Sequence, residues 1–231
     1  MLNREKHQLI MVQILKSIYS DVEISSLLGF KGGTCAYFFY NLPRFSVDLD
    51  FDLIEASEPN KELVFKKIEN ILKEFGIIKE KCIERWTIFF LLSYGDEDHN
   101  IKIEISTREN NNEYVPKEYL GIPMLSAKKE SLFANKLSAL TGRKNIAMRD
   151  IYDLYYFAKN GWDIDEDVLK FWTGNNIKEQ LEESIRIIEK IDQRNILQGL
   201  GEVLSDKDKE WARENLKQET LFLLKSYLSV K

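Results

Sequence analysis

Three aspartates, Asp48, Asp50 and Asp52, stand two residues apart in the segment Ser46-Val-Asp-Leu-Asp-Phe-Asp-Leu53. Side chains on a strand alternate between faces. The spacing therefore predicts a strand over 46–53 with the three carboxylates on one side and Val47, Leu49, Phe51 and Leu53 on the other. Aspartate is a poor strand former, and close like charges repel. A strand needing only a polar face is better served by Thr, Ser or Lys. A divalent cation relieves such repulsion, and Mg2+ is typically held by one or two carboxylates together with substrate phosphates. Asp48 and Asp50 are thus candidate Mg2+ ligands. Asp52, at the strand's end, is expected to support them or to face solvent.

A second alternating segment, Asn100-Ile-Lys-Ile-Glu-Ile-Ser106, sets Glu104 opposite three isoleucines. If this strand lies beside the first, Glu104 joins the pair as a third carboxylate, able to help hold metal or activate an attacking hydroxyl. The alternative is a solvent-facing residue on a half-buried strand. Upstream, Phe30-Lys-Gly-Gly-Thr34 precedes a short apolar segment. Gly32 and Gly33 allow close approach of backbone to a ligand, and their N–H groups at a helix start form an anion site. Thr34 is expected either to cap that helix or to bind a phosphate oxygen. Ser46, two residues before Asp48, is expected on the same face, so that a negative charge there, as in Ser46→Glu, opposes nucleotide binding.

The elements that must hold these residues follow from periodicity. Helical spacing covers 5–19, 21–28, about 34–41 and 61–75. Glu84 to Tyr94 and His99 to Ser106 read as strands joined by turn chemistry at Gly95-Asp-Glu-Asp98. Pro43, Pro59 and Pro116 fall in expected loops. Beyond Pro123 the pattern is helical, with helices near 126–141, 147–160, 164–173, 177–193 and 207–229. These patterns predict an α+β chain: a mixed core over 1–125 and a helical domain over 126–231 packed on it.

Bulk composition narrows the classes. The 231 residues are 44% hydrophobic, enough for a sizeable core. No apolar run approaches the ~20 residues that span a bilayer, and the charged start MLNREKHQ lacks a signal-peptide pattern. Cys35 and Cys82 are too few for a disulfide framework. These features predict a cytoplasmic protein without a membrane partner. The net charge of −5 does not advertise nucleic-acid binding. Residues 128–149, however, hold six basic side chains (Lys128, Lys129, Lys136, Arg143, Lys144 and Arg149) beside the acidic Glu130. That patch suits either a phosphate backbone or a solvated helix face.

In order along the chain, Gly-Gly-Thr34, a helix, and Arg44-Phe-Ser-Val-Asp48-Leu-Asp50-Phe-Asp resemble the AbiEii/AbiGii toxin family, within the DNA-polymerase-β-like nucleotidyltransferase superfamily. Leu132-Phe-Ala-Asn-Lys136-Leu-Ser-Ala and Arg149-Asp150-Ile-Tyr-Asp153-Leu-Tyr are similar to its downstream elements. The family's third carboxylate strand often reads Lys-x-Asp, where this chain has Lys102-Ile-Glu104. The resemblance implies a nucleotidyltransferase-fold mixed sheet with flanking helices, followed by a helical bundle. It implies transfer of a nucleoside monophosphate from an NTP with release of pyrophosphate. Asp48, Asp50 and Glu104 would hold Mg2+, and Gly32, Gly33, Thr34 and Ser46 would lie by the phosphates. Lys136 would pair with the triphosphate, Asp150 would orient it, and Arg149 and Asp153 would line the substrate. Asp153 alternatively forms a surface pair. The resemblance further implies the toxin half of a toxin–antitoxin or phage-defence pair, with tRNA as acceptor and a cognate antitoxin. A protein or small-molecule acceptor, or a silent binding module of the same fold, are the alternatives.

Overall fold

The computed structural model describes residues 3–95 and 100–230. Two compact units emerge. The first comprises the chain up to Asn41 with Phe45–Glu109 and Tyr114–Ala127; the second comprises Leu42–Arg44, Asn110–Glu113 and the chain from Lys128 onward.

The first unit opens with α1 (Arg4–Ser20), whose N-terminus is capped by the Asn3 side chain accepting from the Lys6 N–H. It continues through β1 (Leu28–Lys31), α2 (Gly32–Tyr40), β2 (Leu49–Leu53), α3 (Glu58–Lys73), β3 (Ile77–Ile83), β4 (Thr87–Ser93), β5 (Asn100–Ser106), β6 (Tyr114–Tyr119) and β7 (Ile122–Ala127). The seven strands form one mixed sheet in the order β3-β4-β5-β2-β1-β7-β6. β2 runs antiparallel to β1 and parallel to β5, with Asp50 opposite both Lys31 and Glu104. Leu49, Phe51, Leu53, Ile101, Ile103, Ile105, Ile88, Phe90 and Leu92 are all buried on the other face. There Phe65 of α3 stacks on Phe90 at 5.0 Å. Each fully buried side chain of this kind contributes roughly 1.5–3 kcal/mol. A one-residue slip of β2 would bury its carboxylates and expose that core. The apolar face thereby fixes where the carboxylates stand.

Several expectations are corrected. Residues 22–27 are turns leading into β1, which starts at Leu28, and the helix expected over 21–28 is absent. Val22 is almost fully exposed, while Leu28 and Phe30, two apart, are buried in the sheet. β2 begins at Leu49, so residues 46–48, Asp48 among them, lie outside it. The strand expected over 84–94 is β4, and it pairs antiparallel with β3, which the sequence pattern did not announce. The turn expected at 95–98 lies largely outside the described residues, as does His99. Pro59 sits in the first turn of α3, where its missing N–H costs nothing. The hairpin of β6 and β7 was not foreseen, because Pro116 and Pro123 argue against strands. The sheet accommodates both: β6 is an edge, and β7 meets β1 only at Ser126, opposite Phe30.

The second unit is helical: α4 (Lys129–Gly142), α5 (Met148–Lys159), α6 (Glu166–Thr173), α7 (Ile177–Glu189) and α8 (Asp206–Val230). Trp162 stacks on Phe157 at 4.1 Å, and Phe133 meets Phe157 and Tyr227 edge-on. The Tyr227 hydroxyl donates to the Trp162 carbonyl at 2.8 Å. α7 starts in a reciprocal cap between Asn176 and Glu179. Its buried Gln180 donates to the Leu137 carbonyl and the Thr141 hydroxyl, each at 3.0 Å, which ties α7 to α4.

Candidate active site

On the polar face of the sheet, Lys31, Asp50 and Glu104 form a row across β1, β2 and β5. Burial pushes the Asp50 carboxyl up, and the Asp48 charge adds to it. Glu104 pushes the same way while Lys102 and Lys31 oppose, and the result is about 6. Burial works against the charge of Lys102, but Asp48, Glu104 and Asp50 outweigh it and hold the ammonium above its ordinary value. The Glu104 carboxylate rests on Lys102 Nζ at 3.1 Å. Among the described residues, no three His, Cys, Asp or Glu side chains are gathered into a ready coordination shell. Lys102 is the cation these carboxylates share in this arrangement.

Asp52 is neither solvent-facing nor part of that cluster. It is fully buried, paired with Lys31 Nζ at 2.5 Å and accepting from the Tyr114 hydroxyl. The Tyr114 ring lies over Gly29, where any Cβ would collide with it. Lys31 is in this way tied down immediately before the glycine pair.

Gly32 sits at φ +76°, and a Cβ there would fall 2.3 Å from Asp50 Oδ2. Glycine is required at this point on both counts. Gly32 and Gly33 form the first turn of α2, which no side chain caps. Thr34 neither caps the helix nor faces a ligand. It is fully buried, its hydroxyl bonded to the Asp48 carbonyl and 2.9 Å from Ser46 Oγ. Ser46 is likewise buried, its hydroxyl turned to Thr34. Both hydroxyls are committed within the protein, beside the Asp48 backbone.

In the second unit, Lys136 Nζ lies 2.6 Å from Asp150 Oδ1 and 2.9 Å from Asp153 Oδ2. Arg44 clasps Asp153 through Nε at 2.6 Å and a terminal nitrogen at 2.8 Å. Arg143 reaches the other oxygen of Asp150 at 2.5 Å. Asp153 is fully buried, so the surface pair is excluded, and both its oxygens are committed to Arg44 and Lys136. Burial alone would raise its carboxyl, but Arg44 and then Lys136 overcome that and hold it below the usual aspartate value. An ammonium has three donors. Two of those of Lys136 are aimed by aspartates, leaving one direction for a ligand. Arg149 lies half-buried at the second position of α5.

Arg44, Lys31 and Tyr114 escaped the sequence reading. Arg44 stood inside the matched motif, but its partner is more than a hundred residues away. The basic patch also changes character. Lys128 is paired with Glu113, while Lys136 and Arg143 are paired as above. Their acidic partners Glu113, Asp150 and Asp153 lie outside residues 128–149.

A family model described as nucleotidyl transferase AbiEii toxin, type IV toxin–antitoxin system, matches residues 13–218. The chain belongs to the AbiEii nucleotidyltransferase toxin family. It is a nucleotidyltransferase with an α+β fold of mixed sheet and helices. The fold is similar to JHP933 from Helicobacter pylori, with a TM-score of 0.62 and 19% identity over 99% of this chain and 93% of that one. It is also similar to MenT4, a nucleotidyltransferase toxin from Mycobacterium tuberculosis H37Rv, with a TM-score of 0.57 and 16% identity over 96% of this chain and 90% of that one. Comparison with curated protein sequences gives no match. No helix among the described residues is long and apolar enough to cross a membrane.

Proposed function

We propose that this AbiEii-family enzyme is a cytoplasmic toxin that transfers a nucleoside monophosphate from an NTP to an RNA acceptor, tRNA in the first place, with Mg2+ as its metal and a cognate antitoxin as its partner. The observation that carries the reading is Asp50 set between Lys31 and Glu104 in the sheet register, against the Gly32 turn, with Asp48 two residues away.

The donor set fits a hard divalent cation, since it is all oxygen. The acidity of Asp50 is suppressed by burial and by Asp48 and Glu104, whose charges converge on it. Asp48 and Asp50 would hold the ion. Glu104 would complete the set once it leaves Lys102, or would take the proton of the attacking hydroxyl. When bound, the metal neutralises charge on the triphosphate and lowers the cost of displacing pyrophosphate. The remaining roles belong to the chain. Gly32 and Gly33 offer backbone N–H groups to phosphate oxygens at the start of α2. Thr34 and Ser46 keep the Asp48 backbone in place. Lys136, aimed by Asp150 and Asp153, supplies a fixed positive charge to the triphosphate. Arg149 is assigned to the substrate, and Arg44 fixes Asp153. Lys128, Lys129, Lys136 and Arg143 of the basic patch are paired with acids, so the RNA acceptor rests on family kinship.

The test is incubation with each labelled NTP, Mg2+ and total RNA, beside Asp48→Ala. Label in RNA, lost in the variant, supports the reading. Label on protein or on a small acceptor replaces RNA with that acceptor. No transfer to any acceptor class, with Asp48→Ala no different, overturns it.

A further inference from the structure

Residues 45–48 run between α2 and β2 without belonging to a helix or strand. Pairing of β2 with β5 begins at Leu49, so the direction of the Asp48 side chain is set by something other than a sheet ladder. Peptide planes are rigid and only φ and ψ are soft. The direction in which a side chain leaves the backbone, its Cα–Cβ bond, is therefore fixed once the two planes flanking its Cα are fixed. At Asp48 both planes are held by side chains. On the C-terminal side the Thr34 hydroxyl of α2 binds the Asp48 carbonyl.

On the N-terminal side, His7 of α1 places Nε2 3.0 Å from the Val47 carbonyl oxygen. A carbonyl only accepts, so Nε2 carries the hydrogen. Nδ1 then accepts from the Tyr94 hydroxyl, 2.5 Å away. Of the two neutral tautomers this one satisfies both contacts, and the Val47 carbonyl selects it, since the Tyr94 hydroxyl can donate or accept. The ring is 1% exposed and sits edge-on to Phe45 at 5.8 Å and to Tyr94 at 5.4 Å, so it cannot turn away without opening a hole. The family match begins at residue 13. His7, in the first turn of α1, lies ahead of it.

We infer that His7 is a positioning residue for Asp48, fixing the peptide plane before it as Thr34 fixes the plane after it. It touches no substrate. Its effect passes through the aim of one carboxylate, and the inference rests on Asp48 holding metal as proposed above. A buried histidine that merely filled the core would matter for stability alone. A positioning residue must alter metal affinity, where loss of an outer-shell partner typically costs 10–100-fold.

The experiment measures Mn2+ binding to the full-length protein calorimetrically, together with kcat and KM for NTP. His7→Phe keeps an aromatic ring and removes both polar contacts; His7→Gln keeps a donor near the Nε2 position. His7→Phe is expected to weaken Mn2+ binding about tenfold and to lower kcat with a smaller change in KM, and His7→Gln to recover most of both. Tyr94→Phe, which removes only the partner of Nδ1, is expected to fall between. Wild-type Mn2+ affinity in His7→Phe, or equal defects in the Phe and Gln variants, overturns the inference. If His7→Phe is unfolded by circular dichroism, His7→Gln is compared with His7→Asn, whose shorter amide cannot reach Val47, and equal affinities overturn it. Asp48→Asn separates the two levels. Wild-type Mn2+ affinity in that variant overturns the metal reading and this inference with it. A defect in Asp48→Asn with none in His7→Phe overturns the role of His7 alone.

Discussion

Gly32 is where backbone conformation and the carboxylates constrain each other most directly. Its φ of +76° excludes most side chains, and a Cβ would strike Asp50 at 2.3 Å. Gly32→Ala thus incurs about 1–3 kcal/mol of backbone strain and displaces the Asp50 carboxylate as well. We expect a lowered Tm and nucleotide transfer reduced at least ~100-fold, the larger loss being the catalytic one because a small misplacement at a reacting centre can cost that much. Near-normal transfer with only a lowered Tm would show that Asp50 does not need its present position. Lys102 makes a second case. It is the cation that Asp48, Asp50 and Glu104 share, so removing it leaves more of their repulsion to be relieved by metal. Lys102→Met should melt lower than wild type without metal and gain more from millimolar Mg2+, since a ligand stabilises in proportion to its affinity for the folded form. Equal Mg2+-induced shifts in the two proteins would refute this. Residue types and a two-residue period made Asp48 and Asp50 legible in the sequence. Thr34 and Ser46 were legible only as polar groups near the site, because their hydroxyls face one another and a backbone carbonyl, which spacing does not reveal.

At the scale of elements, the long periodic helices and the alternation in β2 and β5 could be read directly. Short strands could not. β1 has four residues, and β6 and β7 each contain a proline that only their places in the sheet make tolerable. α5 was legible as a helix, but its buried charges were not, since Arg44 reaches Asp153 from far upstream in sequence. That pairing has a pH consequence. The folded-state pKa of Asp153 lies below the ordinary aspartate value. The stability it lends is therefore whole above about pH 4, the unfolded value, and drains away as pH falls from there toward the depressed folded value. Asp153→Asn removes this contribution and strands part of the Arg44 charge. Breaking a buried pair typically costs about 3–5 kcal/mol, moderated here because Lys136 keeps Asp150. Urea denaturation followed across pH 2–7 should show wild type losing stability below about pH 4 more steeply than the variant. Parallel curves would mean that Asp153 is not the group being protonated.

At the scale of the whole molecule, the residues proposed for metal and those proposed for triphosphate fall in different units. The proposed metal ligands Asp48, Asp50 and Glu104 belong to the first unit, and the clamped cation Lys136 with its aspartates belongs to the second. Each constellation is held by bonds within its own unit: the sheet register and the Gly32 turn for the carboxylates, Arg44, Arg143 and α5 for the lysine. A lesion in one should leave the geometry of the other standing. Lys136→Ala removes a charge that two aspartates aim, and a hydrogen bond to a charged group is worth about 1.5–3 kcal/mol. NTP affinity is expected to fall roughly 10–100-fold on that basis, while Mn2+ binding in the absence of nucleotide stays at the wild-type level. Asp50→Asn should do the reverse, abolishing Mn2+ binding first and nucleotide transfer as its consequence. Calorimetric titration of both variants with Mn2+, then with NTP, tells the cases apart. Loss of Mn2+ binding in Lys136→Ala would show that the lysine cluster also shapes the carboxylate site, and unchanged NTP affinity would remove Lys136 from the triphosphate altogether.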